Sequence, residues 1–77
     1  MYLENHGVSP INVKYFRDTD TALLEFSNRP VDETREISEN VCVDLDKDGN
    51  LVSMTIEHAA TVAEFPRVSL EEVGGAA

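Results

Sequence analysis

The sequence predicts a small α+β domain in which an antiparallel sheet of about four strands, arranged as two hairpins, is covered by a short C-terminal helix. The chain has 77 residues, of which 42% are hydrophobic, and this suits one small globular domain. Apolar and polar side chains alternate in several short segments, the period of half-buried strands. We expect a flexible leader over residues 1–10, a single domain over 11–73 and a disordered tail over 74–77.

The first hairpin is predicted from alternation on both sides of a polar turn. Ile11, Val13 and Tyr15 alternate with Asn12, Lys14 and Phe16, and residues 22–26 form the return strand after an Asx-rich turn. Leu24 and Phe26 share one face of that strand. The pattern therefore predicts two antiparallel strands with one buried face.

A break and a charged segment follow the first hairpin. Pro30 cannot donate a hydrogen bond to a sheet, so it ends the pattern. Residues 33–37 are highly charged, and the alternatives are an exposed edge strand or a structured loop. We favour a short edge strand, whose charges would discourage edge-to-edge aggregation.

The second hairpin is the clearest element. Val41, Val43 and Leu45 point to one face, and alternation resumes over residues 51–57 with Val52, Met54 and Ile56 on the inner face. Between the two runs lies Asp48-Gly49, and glycine adopts the positive φ of tight hairpin turns without steric cost.

A helix is predicted over residues 57–64, because small and apolar residues recur there at helical spacing before Pro66. Ser69 and Glu72 have the spacing of a capping box, which predicts one further helical turn.

Composition excludes several classes of function. Six basic residues against 15 acidic ones give a net charge of −9, which disfavours nucleic acid and favours a basic protein partner. No apolar run approaches the ~20 residues of a membrane-spanning helix, and the N-terminal residues lack the pattern of a secretory signal. Cys42 is alone and cannot form an internal disulfide, so we expect a cytoplasmic protein.

The Asp-rich turn of the second hairpin allows two interpretations. Asp44, Asp46, Asp48 and Asn50 lie around Gly49 as in the first half of a calcium-binding loop. The closing Glu of such a loop is replaced by Thr55, and the flanks have the pattern of strands, not helices. We therefore favour Asp side chains that cap backbone N–H groups, and expect no metal and no cofactor. A calcium-responsive domain is the alternative.

No set of catalytic residues is recognisable. A catalytic thiol needs an adjacent base and an orienting third group, and the sequence around Cys42 indicates neither. His6 and His58 are far apart in the sequence, and neither belongs to a spacing typical of metal ligands. We predict that the protein is not an enzyme.

Several stretches of the chain together resemble the small bacterial YuzE-like domains of unknown function. The stretches are Val13-Lys14-Tyr15, residues 18–23, residues 30–36, residues 43–52, Ile56-Glu57 and Ala59-Ala60. The resemblance implies a small α+β domain of about four antiparallel strands with a C-terminal helix and no established activity. It also implies a candidate antitoxin, because some members are encoded beside suspected toxins.

We therefore predict an interaction module that forms a homodimer or binds a small basic protein. Phe16, Leu23 and Leu51 fall on the wet face of the predicted sheet and are the candidate self-association surface. The acidic residues expected to meet a basic partner are Glu33, Glu36, Asp44 and Asp46.

Overall fold

The computed structural model describes residues 11–74, which form a five-stranded antiparallel sheet and one helical turn. The strands are β1 (Asn12–Phe16), β2 (Thr21–Glu25), β3 (Glu33–Ser38), β4 (Val41–Leu45) and β5 (Leu51–Glu57), and the helix is α1 (Ala59–Val62). The order across the sheet is β1-β2-β5-β4-β3. The predicted leader, residues 1–10, and residues 75–77 of the predicted tail lie outside the described residues.

Both predicted hairpins are confirmed, because β1 pairs with β2 and β4 pairs with β5, each antiparallel. The prediction of about four strands is wrong in number, since the sheet has five. The additional strand is the charged segment, whose interpretation as an edge strand is confirmed by its pairing with β4. All six residues of β3 are exposed, so backbone pairing and not side-chain burial holds this strand.

The connection from β2 to β3 crosses one end of the sheet. It must pass β5 and β4, because β2 and β3 are not neighbours. The backbone N–H groups of Phe26 and Ser27 donate to the carbonyl of Val52 at 2.8 and 3.2 Å, and that of Asp32 donates to the carbonyl of Leu45 at 2.8 Å. These bonds fix the crossing loop, residues 26–32, against the ends of β5 and β4.

The register divides the strands into two faces, because cross-strand partners point to the same side of a sheet. We call the apolar side the core face and the opposite side the polar face. Core-face residues are Val13, Tyr15, Ala22, Leu24, Glu33, Arg35, Val41, Val43, Leu45, Val52, Met54 and Ile56. Polar-face residues are Asn12, Lys14, Phe16, Thr21, Leu23, Glu25, Thr34, Glu36, Cys42, Asp44, Ser53, Thr55 and Glu57. Leu51 is left out of this division, because a β-bulge next to Leu45 shifts the register where the two residues pair.

The core is small. Its buried apolar residues are Ala22, Val43, Leu45, Val52 and Ala59. Within residues 11–74 only the two alanines reach 0% exposure, and no larger side chain is completely buried. One layer of sheet with one turn of helix leaves much of the core face without a cover.

The helix is shorter than predicted. Instead of residues 57–64, α1 spans one turn, begins after His58 in the left-handed conformation at φ 56° and buries only Ala59. The second predicted turn, at Ser69 and Glu72, is wrong, because residues 67–73 have no regular secondary structure. A capping pattern cannot hold so short a helix without a packed face, since helix nucleation is unfavourable.

Candidate interaction surface

A hydrogen-bond network connects three strands on the polar face. The carboxylate of Asp44 accepts from the hydroxyls of Thr34 and Ser53, each at 2.6 Å. These two bonds, that from Ser53 foremost, lower the pKa of Asp44. Both oxygens of Asp44 are therefore engaged in joining β3, β4 and β5.

Asp46 anchors the crossing loop to the second hairpin. Its side chain is almost completely buried, and Oδ1 accepts from the N–H groups of Asp48 and Asn50, both at 2.9 Å. Its Oδ2 lies 2.6 Å from Nε of Arg29 in the crossing loop. The backbone N–H of Asn50 is the largest cause of the lowered pKa of Asp46. The left-handed Gly49, at φ 83°, completes the turn.

The four residues of the calcium alternative do not form one cluster. Asp44 lies on the polar face, Asp46 is buried beside Arg29, and Asp48 and Asn50 are exposed in the turn. Across residues 11–74, no group of three or more His, Cys, Asp or Glu side chains is placed to hold a metal ion. Calcium binding stays a prediction.

A second anchor joins the first hairpin to α1. Asp20, left-handed at φ 55°, accepts through Oδ1 from the Tyr15 hydroxyl at 2.6 Å and from the Ala60 N–H at 2.9 Å. Its carbonyl accepts from the Ala59 N–H at 2.9 Å. The bond to Asp20 raises the pKa of Tyr15 and, in turn, lowers that of Asp20. The ring of Tyr15 stacks on Phe65, with centroids 6.4 Å apart.

No pattern in the sequence indicates this anchor. Asp20 lies in the polar turn of the first hairpin, yet it caps an N–H group 40 residues along the chain. His58, expected on the surface, is exposed and lies 3.0 Å, through Nδ1, from Oδ1 of Asn40. Cys42 is half-buried on the polar face opposite Thr55. His6 lies outside the described residues.

The predicted self-association residues are only partly brought together. Phe16 and Leu51 are 48% and 44% exposed, while Leu23 is half-buried. Phe16 is opposite Thr21, next but one to Leu23 on β2, so these two are diagonal neighbours on the polar face. Leu51 lies at the far end of β5, roughly 13 Å along the strand from the partner of Leu23. Phe16 and Leu23 form a small patch from which Leu51 is separate.

The predicted acidic surface is likewise divided. Glu33 lies on the core face, where its carboxylate pairs with Arg35 at 3.1 Å. Asp46 is engaged with Arg29, as described above. Only Glu36 and Asp44 remain together on the polar face.

The core face and the segment after α1 expose apolar side chains that sequence reasoning did not single out. On the core face Val13 is 41% exposed, and Leu24, Met54 and Ile56 are only half-buried. Beyond α1, the segment 67–73 exposes its three aliphatic side chains more strongly. These are Val68 at 57%, Leu70 at 94% and Val73 at 81%. In the sequence, this exposed apolar segment is indicated only by three aliphatic residues that follow a proline and lie outside any predicted core.

Comparison with known proteins places the strands within a described family. A family model described as "Protein of unknown function (DUF2283)" matches residues 12–59, from the first residue of β1 to the first residue of α1. The match covers well over half of the chain. No curated protein and no solved structure matches the chain. In the part of the chain that the structure describes, no helix has the length and apolarity to cross a membrane.

Proposed function

The chain belongs to the DUF2283 family of proteins of unknown function, and from this premise we propose that it is a non-enzymatic self-association module. Its partner is a second copy, which covers the core face. The observation that carries the proposal is the exposure of apolar side chains on and beside that face, from Val13 on β1 to Leu70 beyond α1.

The charges favour the core face for contact between two identical acidic chains. Among the described strand residues of this face, only Glu33 and Arg35 are charged, and they pair with each other. The Asp20 carboxylate at the border of the face is engaged by the Tyr15 hydroxyl. The polar face combines one lysine with several carboxylates: Lys14 against Glu25, Glu36, Asp44 and Glu57. Two chains of net charge −9 repel each other least when their core faces meet.

The patch of Phe16 and Leu23 on the polar face is the alternative self-association surface. It is smaller, because Leu23 is already half-buried and Leu51 is separate. It also lies beside Glu57 and the Lys14–Glu25 ion pair, which a partner would have to desolvate. The small size of this patch and the charges beside it favour the core face as the contact between two copies.

Sedimentation equilibrium tests the proposal over concentrations from about 1 to 100 μM and at low and high salt. We expect a mass of twice 8.5 kDa at the upper concentrations. The dimer should tighten as salt rises, since salt screens the repulsion between acidic chains and does not weaken apolar contact. A mass of 8.5 kDa throughout would contradict the proposal.

A second candidate function is binding of a small basic protein, as an antitoxin does. Glu36 and Asp44 on the polar face, together with the net charge of −9, support it. Such a complex should weaken as salt rises, the opposite of the dimer, and Glu36→Gln should weaken it further. A stoichiometric basic protein captured from the native host would identify the partner, and an affinity insensitive to both salt and Glu36→Gln would contradict this mode.

The resemblance to YuzE-like domains supports the same candidate. Its motifs run from Val13 to Ala60, and all but the last residue lie within the matched 12–59. We propose that the two describe one group. The single Cys42 and the acidic charge support a cytoplasmic location.

A further inference from the structure

We infer that the segment 67–73 of one copy docks on the core face of the second copy, so that two chains exchange these segments reciprocally. The inference rests on the proposed self-association and names the part of the chain that performs it. Its occupant is the second copy, identified by the apolar segment that this chain itself supplies.

The segment is apolar but does not pack on its own chain. Leu70 and Val73 are 94% and 81% exposed, far more than a surface aliphatic residue that lies against a sheet. The N–H of Arg67 donates to the carbonyl of Glu64 at 2.9 Å, and beyond it no hydrogen bond or ion pair ties residues 68–74 to the rest of the described chain. Within residues 11–74, the segment therefore has neither an apolar surface that covers its side chains nor a hydrogen-bond partner for its backbone.

The segment also begins beside the surface that it would cover. Phe65, just before it, stacks on Tyr15 of the core face, and Tyr15 is next but one on β1 to the exposed Val13. The segment therefore leaves the fold at the β1 side of the open face. In a twofold dimer formed through core faces, each segment would start at the border of the interface and lie near the partner's sheet.

The spacing of the apolar residues suits a sheet surface. In an extended segment Val68 and Leu70 point to the same side, about 7 Å apart. This is the spacing of alternate residues along a strand, such as Val13 and Tyr15 on the core face. Two aliphatic side chains can therefore follow one strand of the partner, and Ser69, Glu71 and Val73 face the opposite way.

The test is sedimentation equilibrium of the full chain with Leu70→Asp and with the control Val31→Asp. Val31 is 51% exposed in the crossing loop, so the control adds the same charge at an exposed aliphatic site away from the segment. We expect Leu70→Asp to raise the dimer dissociation constant at least ~100-fold, because a twofold dimer loses a buried leucine twice. Val31→Asp should change it less than ~3-fold.

The outcomes separate the inference from the proposed function. A wild-type chain that stays monomeric contradicts both. A wild-type dimer that Leu70→Asp weakens no more than Val31→Asp contradicts the segment exchange and leaves self-association standing. Because Leu70 is exposed in the single chain, its substitution should leave the circular dichroism spectrum unchanged.

Hydrogen exchange provides a second measurement that needs no variant. The amides of residues 68–73 should exchange rapidly in dilute, monomeric samples and more slowly in concentrated, dimeric ones. Equal exchange of these amides in both samples, while the mass shows a dimer, would overturn the segment exchange.

Discussion

Leu45 and Leu51 offer the sharpest test of where the buried core lies at this end of the sheet. They are paired where a β-bulge interrupts the register of β4 and β5, and Leu45 is 8% exposed whereas Leu51 is 44% exposed. The same substitution, leucine to alanine, can therefore be compared at neighbouring positions. Leu51 is also one of the residues that the sequence indicated as an interface.

The magnitudes follow from the burial of each side chain. Leucine to alanine removes three carbons at about 0.8 kcal/mol each when they are fully buried. For Leu45 this gives about 2 kcal/mol, and incomplete relaxation around the vacated space raises the loss to about 2–3 kcal/mol. For Leu51, at 44% exposure, the expected loss is about 1 kcal/mol.

Thermal unfolding followed by circular dichroism measures the loss of stability of both variants. A domain of this size loses about 4–8 °C in Tm per kcal/mol, so Leu45→Ala should lower Tm by roughly 10–20 °C and Leu51→Ala by roughly 4–8 °C. Protein concentration must be equal in all samples, because self-association makes Tm depend on it. A loss for Leu51→Ala equal to or larger than that for Leu45→Ala would refute the burial of Leu45 in the core.

Three further predictions concern the side chains whose hydrogen bonds join separate elements of the fold. Asp46→Ala should lower Tm, because it releases both the crossing loop at Arg29 and the turn of the second hairpin. The Tm of the wild-type protein should be the same in millimolar calcium as in chelator. A rise of several degrees with calcium would instead support the calcium alternative. The pKa values of Asp20, Asp44 and Asp46 are lowered in the fold, so their contribution to stability is complete above about pH 4 and is lost as pH falls further. An acid-unfolding curve that Asp44→Asn leaves unchanged would contradict this for Asp44. Because the pKa of Tyr15 is raised in the fold, its contribution to stability is complete below about pH 10 and is lost as pH rises through the pKa of the folded state. In the Tyr2→Phe variant Tyr15 is the remaining tyrosine, and an absorbance titration should show a pKa above 10.

The hairpins could be predicted because local signals agree there. Alternation over residues 41–57 and the turn at Gly49 point to the same structure, and both strand pairs join segments adjacent in sequence. The edge strand β3 carried a weaker signal, because an exposed strand held by backbone bonds has no apolar period. Counting strands from periodicity alone therefore gave too few.

The contacts that close the fold could not be predicted. The bond between Asp20 and the Ala60 N–H joins residues 40 positions apart, and no spacing in the sequence announces it. The placement of β5 between β2 and β4 is also non-local and determines which polar-face residues become neighbours. That is why Leu51 is separate from Phe16 and Leu23, although alternation assigns all three to one face.

The most direct test of the central claim is to observe contacts between two copies on the core face. An isotope-filtered NMR experiment on a mixture of labelled and unlabelled chains detects only intermolecular contacts. The account predicts such contacts between the methyl groups of Val13 or Leu24 and those of Val68 or Leu70, with none at Leu23. Intermolecular contacts confined to Phe16 and Leu23, or a concentrated sample without any, would contradict the claim that a second copy covers the core face.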